Sequence, residues 1–315
     1  MKCFVTGGAG FIGSTMIDAL IAEGSTVVCY DNFSTGQERF LQGPRPGLRV
    51  VRGDLLSPET LREAMQGCDI VFHFAANADV RYGAEHPGRD LEQNTVATFN
   101  VLDAMLKCGI KSILFSSTGS IYGESRVIPT PEDAPFPVQT SLYGASKLAG
   151  EGLISAFCEA FGMTAWIFRF VSILGERYSH GHVFDFCRQL FDDPGTLRVL
   201  GDGTQRKSYL YVGDCISAIL RALKTATGKV NIFNLGTDEF IPLKDSVATI
   251  TTELGLSPRI EYGGGSRGWI GDNPFIYLDC ARIRSLGWQP ALSIRQGIVR
   301  TVRYIRENRW LLDAR

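Results

Sequence analysis

Over the first 170 residues, short apolar runs alternate with amphipathic stretches. The runs at 2–6, 26–30, 49–52, 70–75, 112–116 and 164–170 read as strands. Ile70-Val71-Phe72 and Ile113-Leu114-Phe115 are apolar at every position. Such runs suit strands covered on both faces, as in a parallel sheet between two helical layers. Helical patterns fill the intervals. One spans 11–23 and is stopped by Gly24, one spans 58–65 behind Ser57 as N-cap, and one spans 94–107 and is stopped by Gly109. The alternation predicts an α/β fold built on a doubly wound parallel sheet.

Beyond Phe170 the pattern changes. Loops rich in glycine and charge, at 175–181, 201–208 and 263–273, separate shorter helical stretches at 183–190 and 214–223. With no repeat, low-complexity tract or Pro/Ser linker, a smaller C-terminal α/β region is expected to pack directly on the first. The predicted division is 1–170, with a returning segment at about 209–236, against 171–208 and 237–315. A cleft between two such regions is where a small substrate is expected to sit.

Composition narrows the function classes. With 32 basic and 33 acidic residues the net charge is −1, so no electrostatic footprint for nucleic acid or a membrane surface is present. No apolar run approaches the ~18 residues of a membrane span. The apolar start of the chain runs straight into a glycine-rich turn, which is not the plan of a signal peptide. Eight cysteines are dispersed without a Cys-x-x-Cys pair, as reduced core thiols of a cytoplasmic protein would be. Of His73, His86, His180 and His182 only the last two are close, and without a third ligand no metal is expected.

Chemistry enters at Thr6-Gly7-Gly8-Ala9-Gly10-Phe11-Ile12-Gly13, between the first strand and the first helix. Gly7 permits a tight turn, Gly10 lets amides approach a pyrophosphate, and Gly13 allows close helix–sheet packing. Phe11 and Ile12 open a helix whose N-terminus favours phosphate. Asp31 follows the second strand, 18 residues after Gly13. A carboxylate there accepts from adenosine ribose hydroxyls and repels a 2′-phosphate, which selects NAD; the plainer reading is a solvated turn residue before Asn32. Asp54-Leu55, after the third strand, offers a carboxylate to the adenine amino group or to a helix cap. Phe74-Ala75-Ala76 supplies small residues where a dinucleotide would cross the sheet edge.

Tyr143 and Lys147, four apart, share one helical face. A phenol with a pKa near 10 is a poor base, but a neighbouring ammonium and a positive nicotinamide both favour the phenolate. Ser116-Ser117-Thr118 ends a strand 25 residues before Tyr143, at the sheet edge where ligands bind. Thr118 could hold a sugar oxygen while Tyr143 takes its proton.

These motifs, with Asn94, Gly201-Asp202-Gly203 and Leu286-Gly287-Trp288, resemble the extended short-chain dehydrogenase/reductases. Within them the match is to the NAD-dependent nucleotide-sugar epimerase/dehydratase family of the UDP-glucose 4-epimerase type, over nearly the whole chain. The resemblance implies a Rossmann domain holding NAD and a smaller domain holding a nucleotide-diphosphate sugar. It implies Tyr143 as base, Lys147 on the nicotinamide ribose, Thr118 orienting the reacting hydroxyl, and Asn94 supporting the cofactor. It also implies Ser120 in the sugar pocket and Arg169 bracing the site.

Within the resemblance, several positions bear on the reaction and substrate. Similar dehydratases carry Asp-Glu directly after the hydroxyl residue, and similar decarboxylases a Glu at the second position; here stand Gly119 and Ser120. An epimerase remains, at C4 through a transient 4-keto sugar. A CDP-sugar 2-epimerase and a net NAD-linked dehydrogenase or reductase are the alternatives. Ser172 replaces an Asn, and Lys207, beside Arg206, replaces a phosphate-binding Arg without its fork. Arg267, opening the stretch Arg267-Gly268-Trp269-Ile270-Gly271-Asp272, is expected on the diphosphate or in a rim salt bridge. His180 and His182 fall in the substrate loop, with His182 taken as a pocket residue. Surplus apolar residues on the helices around Phe99 and Phe157 imply a homodimer.

Overall fold

The computed structural model describes residues 1–314 except Pro137, Ser266, 269–272 and Pro274, and the side chain of Arg81. Seven parallel strands form its central sheet: β1 (Lys2–Thr6), β2 (Thr26–Asp31), β3 (Leu48–Arg52), β4 (Ile70–His73), β5 (Ser112–Thr118), β6 (Thr164–Phe170) and β7 (Val230–Leu235). Across the sheet the order is β7-β6-β5-β4-β1-β2-β3. Consecutive strands therefore step outward in one direction from β1 and in the other from β4. The reversal leaves a crevice at the carboxyl ends of β1 and β4, the place where open α/β sheets bind ligands.

Alternate residues of each strand feed two separate cores. Cys3, Val5, Phe72, Leu114 and Phe168 pack on the face that carries helix α1 (Phe11–Ala22). Phe4, Val71, Ile113, Phe115 and Ile167 pack on the other, beneath α2 (Pro58–Met65), α3 (Ala97–Cys108) and α4 (Leu142–Phe161). Both faces are buried, as the unbroken apolar runs require. Helix α5 (Val212–Thr225) packs on α1, and β7 then pairs with β6 from Val230↔Ala165 to Leu235↔Phe170. The chain thus leaves the sheet after β6 and returns to it.

Some boundaries differ from the pattern-based reading, each for a local reason. Strand β5 runs two residues past Ser116, because its pairing with β6 continues to Thr118↔Phe170; Ser116 Oγ donates to the His73 carbonyl at 3.1 Å and Ser117 Oγ to Glu151 at 2.5 Å. Strand β4 stops at His73, so Phe74-Ala75-Ala76 form the turn above it. Ser57 sits at the N-cap of α2 but its side chain makes no capping bond; Pro58 starts the helix instead. The helix expected from residue 94 opens as a π-helical turn, Leu91–Val96, before becoming α3. Such turns often occur at functional sites.

In the second region, Ser172–Leu174 pairs with Tyr209–Tyr211, and Arg206–Lys207 lies between Ile241–Pro242 and Phe275–Ile276. All eight cysteines are free thiols, seven of them buried. Among the described residues no helix is long and apolar enough to cross a membrane, and no cluster could hold a metal ion.

Candidate functional site

The glycine turn is shaped by contacts that a side chain would break. Gly7 has φ 66°, and a Cβ there would lie 2.6 Å from the Ala75 amide nitrogen. The Gly10 amide donates to the Gly7 carbonyl at 3.1 Å, and Gly10 caps α1 in extended conformation. Phe11 is buried edge-on to Tyr178, and Ile12 is half-buried at the same helix start. The turn leaves α1 pointing its N-terminal amides into the β1/β4 crevice. A dinucleotide pyrophosphate fits this cradle.

Asp31 holds the next part of the site. Its Oδ2 accepts from the Ala9 amide at 2.9 Å and its Oδ1 from the Phe33 amide at 2.8 Å. Burial raises its pKa, and those two amides pull it back. The carboxylate thus ties the glycine turn to the end of β2, and its burial excludes the solvated-turn reading. Asn32 donates to Asp54 Oδ2 at 3.0 Å, and Asp54 Oδ1 accepts from the Leu56 amide at 2.9 Å. Asp54 thus caps its own turn, with buried Leu55 beneath it, and each carboxylate oxygen keeps an acceptor site beyond the bond it already takes.

A run of hydrogen bonds not foreseen from the sequence crosses under the crevice. The Ala75 amide donates to Thr6 Oγ1 at 3.3 Å, and Thr6 Oγ1 meets His73 Nδ1 at 2.7 Å. His73 Nε2 meets Thr98 Oγ1 at 3.0 Å, and Thr98 donates to the Asn94 carbonyl at 2.5 Å. Since Thr98 spends its proton on Asn94, its oxygen must accept from His73, which assigns the Nε2–H tautomer. His73 is fully buried, and burial with the nearby Lys147 pushes its pKa down to about 3. Asn94 continues the run: Oδ1 accepts from the Asn77 amide at 2.8 Å, and Nδ2 donates to Ser146 Oγ at 2.9 Å on the helix of Tyr143.

Tyr143 and Thr118 meet at the end of β5. Thr118 Oγ1 accepts from the Ser120 amide at 3.1 Å and donates to Ser120 Oγ at 3.2 Å. Ser141 caps α4 by accepting from the Gly144 amide at 3.0 Å, so Tyr143 sits in the first turn, toward the strand end. The phenol is pushed up to about 12 by burial, opposed by its interaction with Thr118 and reinforced by the Asp90 carboxylate. The desolvation of the site outweighs Thr118, so the phenol is not depressed without the nicotinamide ring, which the expectation counted beside Lys147. Lys147 is buried, its ammonium 4.1 Å from the centre of the Phe115 ring. Burial lowers its pKa to about 7, against the opposing pull of Glu151.

The second region brings some expected residues to this edge and turns others away. Ser172 is exposed just past β6, in register with Tyr209. Lys207 lies close enough to His182 to help burial push that imidazole down to about 3. His182 itself bonds Ser246 Oγ at 2.7 Å and the Tyr209 hydroxyl at 3.3 Å. Arg206 is a correction. Neighbours in a strand face opposite ways, and its guanidinium stacks 4.2 Å above Phe275 instead of joining Lys207. Arg267 pairs with Glu124, just past the turn at Gly119–Tyr122, so the rim salt bridge is the contact formed. Trp269, Ile270, Gly271 and Asp272 lie outside the described residues.

Arg169 braces the site as expected. Its Nη2 reaches Glu151 at 2.7 Å, and its Nη1 donates to the Tyr122 hydroxyl at 2.6 Å and the Glu132 carbonyl at 2.7 Å. Glu151, Asn77 and Asp90 were not picked out from the sequence, Ser117 was named only within its strand end, and His73 only as a metal ligand not expected to bind. Glu151 alone had a readable signal, continuing the spacing of four from Tyr143 through Lys147.

The likeness to characterised proteins spans the whole chain. It is 30% identical to a UDP-glucose 4-epimerase of Mycolicibacterium smegmatis, over 97% of this chain and 99% of that one. A solved UDP-galactose 4-epimerase superposes with a TM-score of 0.88 at 34% identity, covering 98% of this chain and 100% of that chain. The UDP-glucose 4-epimerase of Thermus thermophilus, solved in complex with NAD, gives 0.86 at 31% identity, covering 97% and 99%. Matched to it over residues 3–236, well over half of its 315 residues, the chain belongs to the NAD dependent epimerase/dehydratase family.

Proposed function

We propose that this chain inverts C4 of a UDP-sugar, with a 4-keto sugar as transient intermediate. The observation that carries the reading is the end of β5, where the Thr118 hydroxyl meets Tyr143 and is followed by Gly119 and Ser120. Neither of those residues transfers a proton, so the edge is equipped for removing and returning one proton, not for eliminating water. NAD, when bound by the Gly7–Gly13 turn and Asp31, supplies a reversible hydride acceptor and a positive ring that favours the Tyr143 phenolate. Thr118 and Ser120 orient the reacting hydroxyl. Tyr143 accepts its proton and later gives it back, and Lys147, while protonated, stabilises the phenolate. Lys207, His182 and Ser172 line the approach for the sugar nucleotide, with Arg267 at the rim.

The test is to incubate the purified protein, with no cofactor added, with UDP-glucose, UDP-galactose, UDP-glucuronate, their N-acetylhexosamine counterparts and a CDP-sugar, and to follow products by proton NMR. A C4 epimer at equilibrium without net NADH is the expected outcome. A C2 epimer, or NADH accumulating with product, overturns it. Tyr143→Phe is expected to lower the rate by about 10²- to 10⁴-fold, the range of a lost general base.

The same reading extends to the whole chain. The cofactor domain comprises 1–170 and a returning segment at about 209–236, and the sugar-nucleotide domain 171–208 and 237–315; the pairing of β7 with β6 and the packing of α5 on α1 support it. The protein is a cytoplasmic homodimer in this reading. Free thiols at all eight cysteines and half-exposed Phe99 and Phe161 on α3 and α4 favour it.

A further inference from the structure

Tyr143, Lys147 and Glu151 lie at successive turns of α4, and Glu151 is the best anchored of the three. Its side chain is buried, and it is held from two strands: Ser117 Oγ of β5 donates to Oε1 at 2.5 Å, while Arg169 of β6 donates through Nε at 3.1 Å and Nη2 at 2.7 Å. Ser117 immediately precedes Thr118. One carboxylate therefore fixes the helix that carries Tyr143 against the strand that carries its hydroxyl partner. The Lys147 ammonium, by contrast, rests on an aromatic face. A buried charge without a counter-charge is unstable and sheds its proton.

We propose that Glu151 is a positioning residue of the reaction centre: clamped by Ser117 and Arg169, it sets the register of α4 on β5 and supplies the negative charge that balances the Lys147 ammonium. The inference rests on the roles given above to Tyr143 and Lys147. The charged and titratable groups facing this centre are His73 on β4, Arg169 on β6, Asp90 behind Tyr143, and Glu151 and Tyr143 on α4 itself. His73 is neutral, since its pKa is about 3, and Arg169 is cationic, so neither can balance Lys147. Asp90 acts on Tyr143, where it opposes ionisation. Glu151 is the group that raises the Lys147 pKa against burial.

The test is the pH dependence of turnover by the NAD-loaded enzyme. Lys147 works while protonated, so activity is lost as pH rises through its pKa. Glu151→Gln keeps the shape of the clamp and removes the charge. Its alkaline limb is expected to move to lower pH by about one unit or more, with about tenfold lower activity above the limb relative to wild type. Glu151→Asp keeps the charge and is expected to leave the limb in place. Ser117→Ala loosens the clamp and is expected to lower kcat without moving the limb. An alkaline limb unchanged in Glu151→Gln overturns the proposal and leaves Glu151 a structural ion pair. Should Glu151→Gln not fold, because Arg169 is stranded, the Glu151→Gln/Arg169→Met pair is read in the same way. Full activity in Tyr143→Phe would instead sink the roles on which the inference rests.

Discussion

At the residue scale, a methyl group on Gly13 would sit 2.2 Å from the Gly7 carbonyl oxygen and 3.0 Å from the Gly8 Cα. Backbone lies on that side, so nothing can swing away. Gly13→Ala is expected to abolish NAD retention through purification, read from the absorbance of cofactor released on denaturation; retention at the wild-type level would contradict this use of the glycine. Asp31→Ala removes both the ribose acceptor and the tie to Ala9 and Phe33. Weaker NAD binding is expected, with a smaller loss for NADP, and a calorimetric comparison of the two cofactors checks it. These residues were legible because their meaning is local: a turn, a strand end, a helix. Glu151 and His73 were not, because their partners lie on other elements, as far as His73 is from Thr6 and Thr98. Arg206 was misread for the same reason, since which neighbour in a strand faces the site depends on what that strand pairs with.

Among elements, the informative piece is the line of hydrogen bonds running from the turn above β4 through His73 to the start of α3 and on to α4. It joins the glycine turn to the helix of Tyr143, and the side chains of Thr6, His73, Thr98, Asn94 and Ser146 in it are buried polar groups. Its strength depends on His73 staying neutral. With a folded pKa of about 3 against 6.5 for the free side chain, the native state binds fewer protons than the unfolded one between those values. This contribution is therefore complete above pH 6.5 and is lost as pH falls through the window. At pH 5 the loss is on the order of 2 kcal/mol, and His182, similarly depressed, adds in the same direction. His73→Gln is expected to melt lower at neutral pH but to show a shallower fall between pH 7 and 5; parallel curves would show that His73 does not titrate in this way. The strands and helices were readable from period alone, whereas the π-helical turn, which carries Asn94 with its bonds to Asn77 and Ser146, was not.

For the whole molecule, the open question is its partner. Phe99, Phe157 and Phe161 make a continuous aromatic strip across α3 and α4, with ring centres 6.2 and 5.1 Å apart. A patch of this kind on a second copy is self-complementary about a two-fold axis. The wild-type chain is expected to sediment as a dimer at micromolar concentration and Phe99→Glu as a monomer; a wild-type monomer would refute the arrangement. The doubly wound sheet was legible in the sequence, and a returning segment at about 209–236 was expected with it; that its strand pairs at the sheet edge beside β6 was not. That return also sets an order of events during synthesis. Strand β6 leaves the ribosome about 60 residues before its partner β7, which at about 5–20 residues per second is a wait of roughly 3–12 s. For that interval the nascent sheet has an unpaired edge of apolar strand, open to pairing with another chain. The layout that places about 60 residues between β6 and β7 thus leaves the order of synthesis at odds with the order of the sheet.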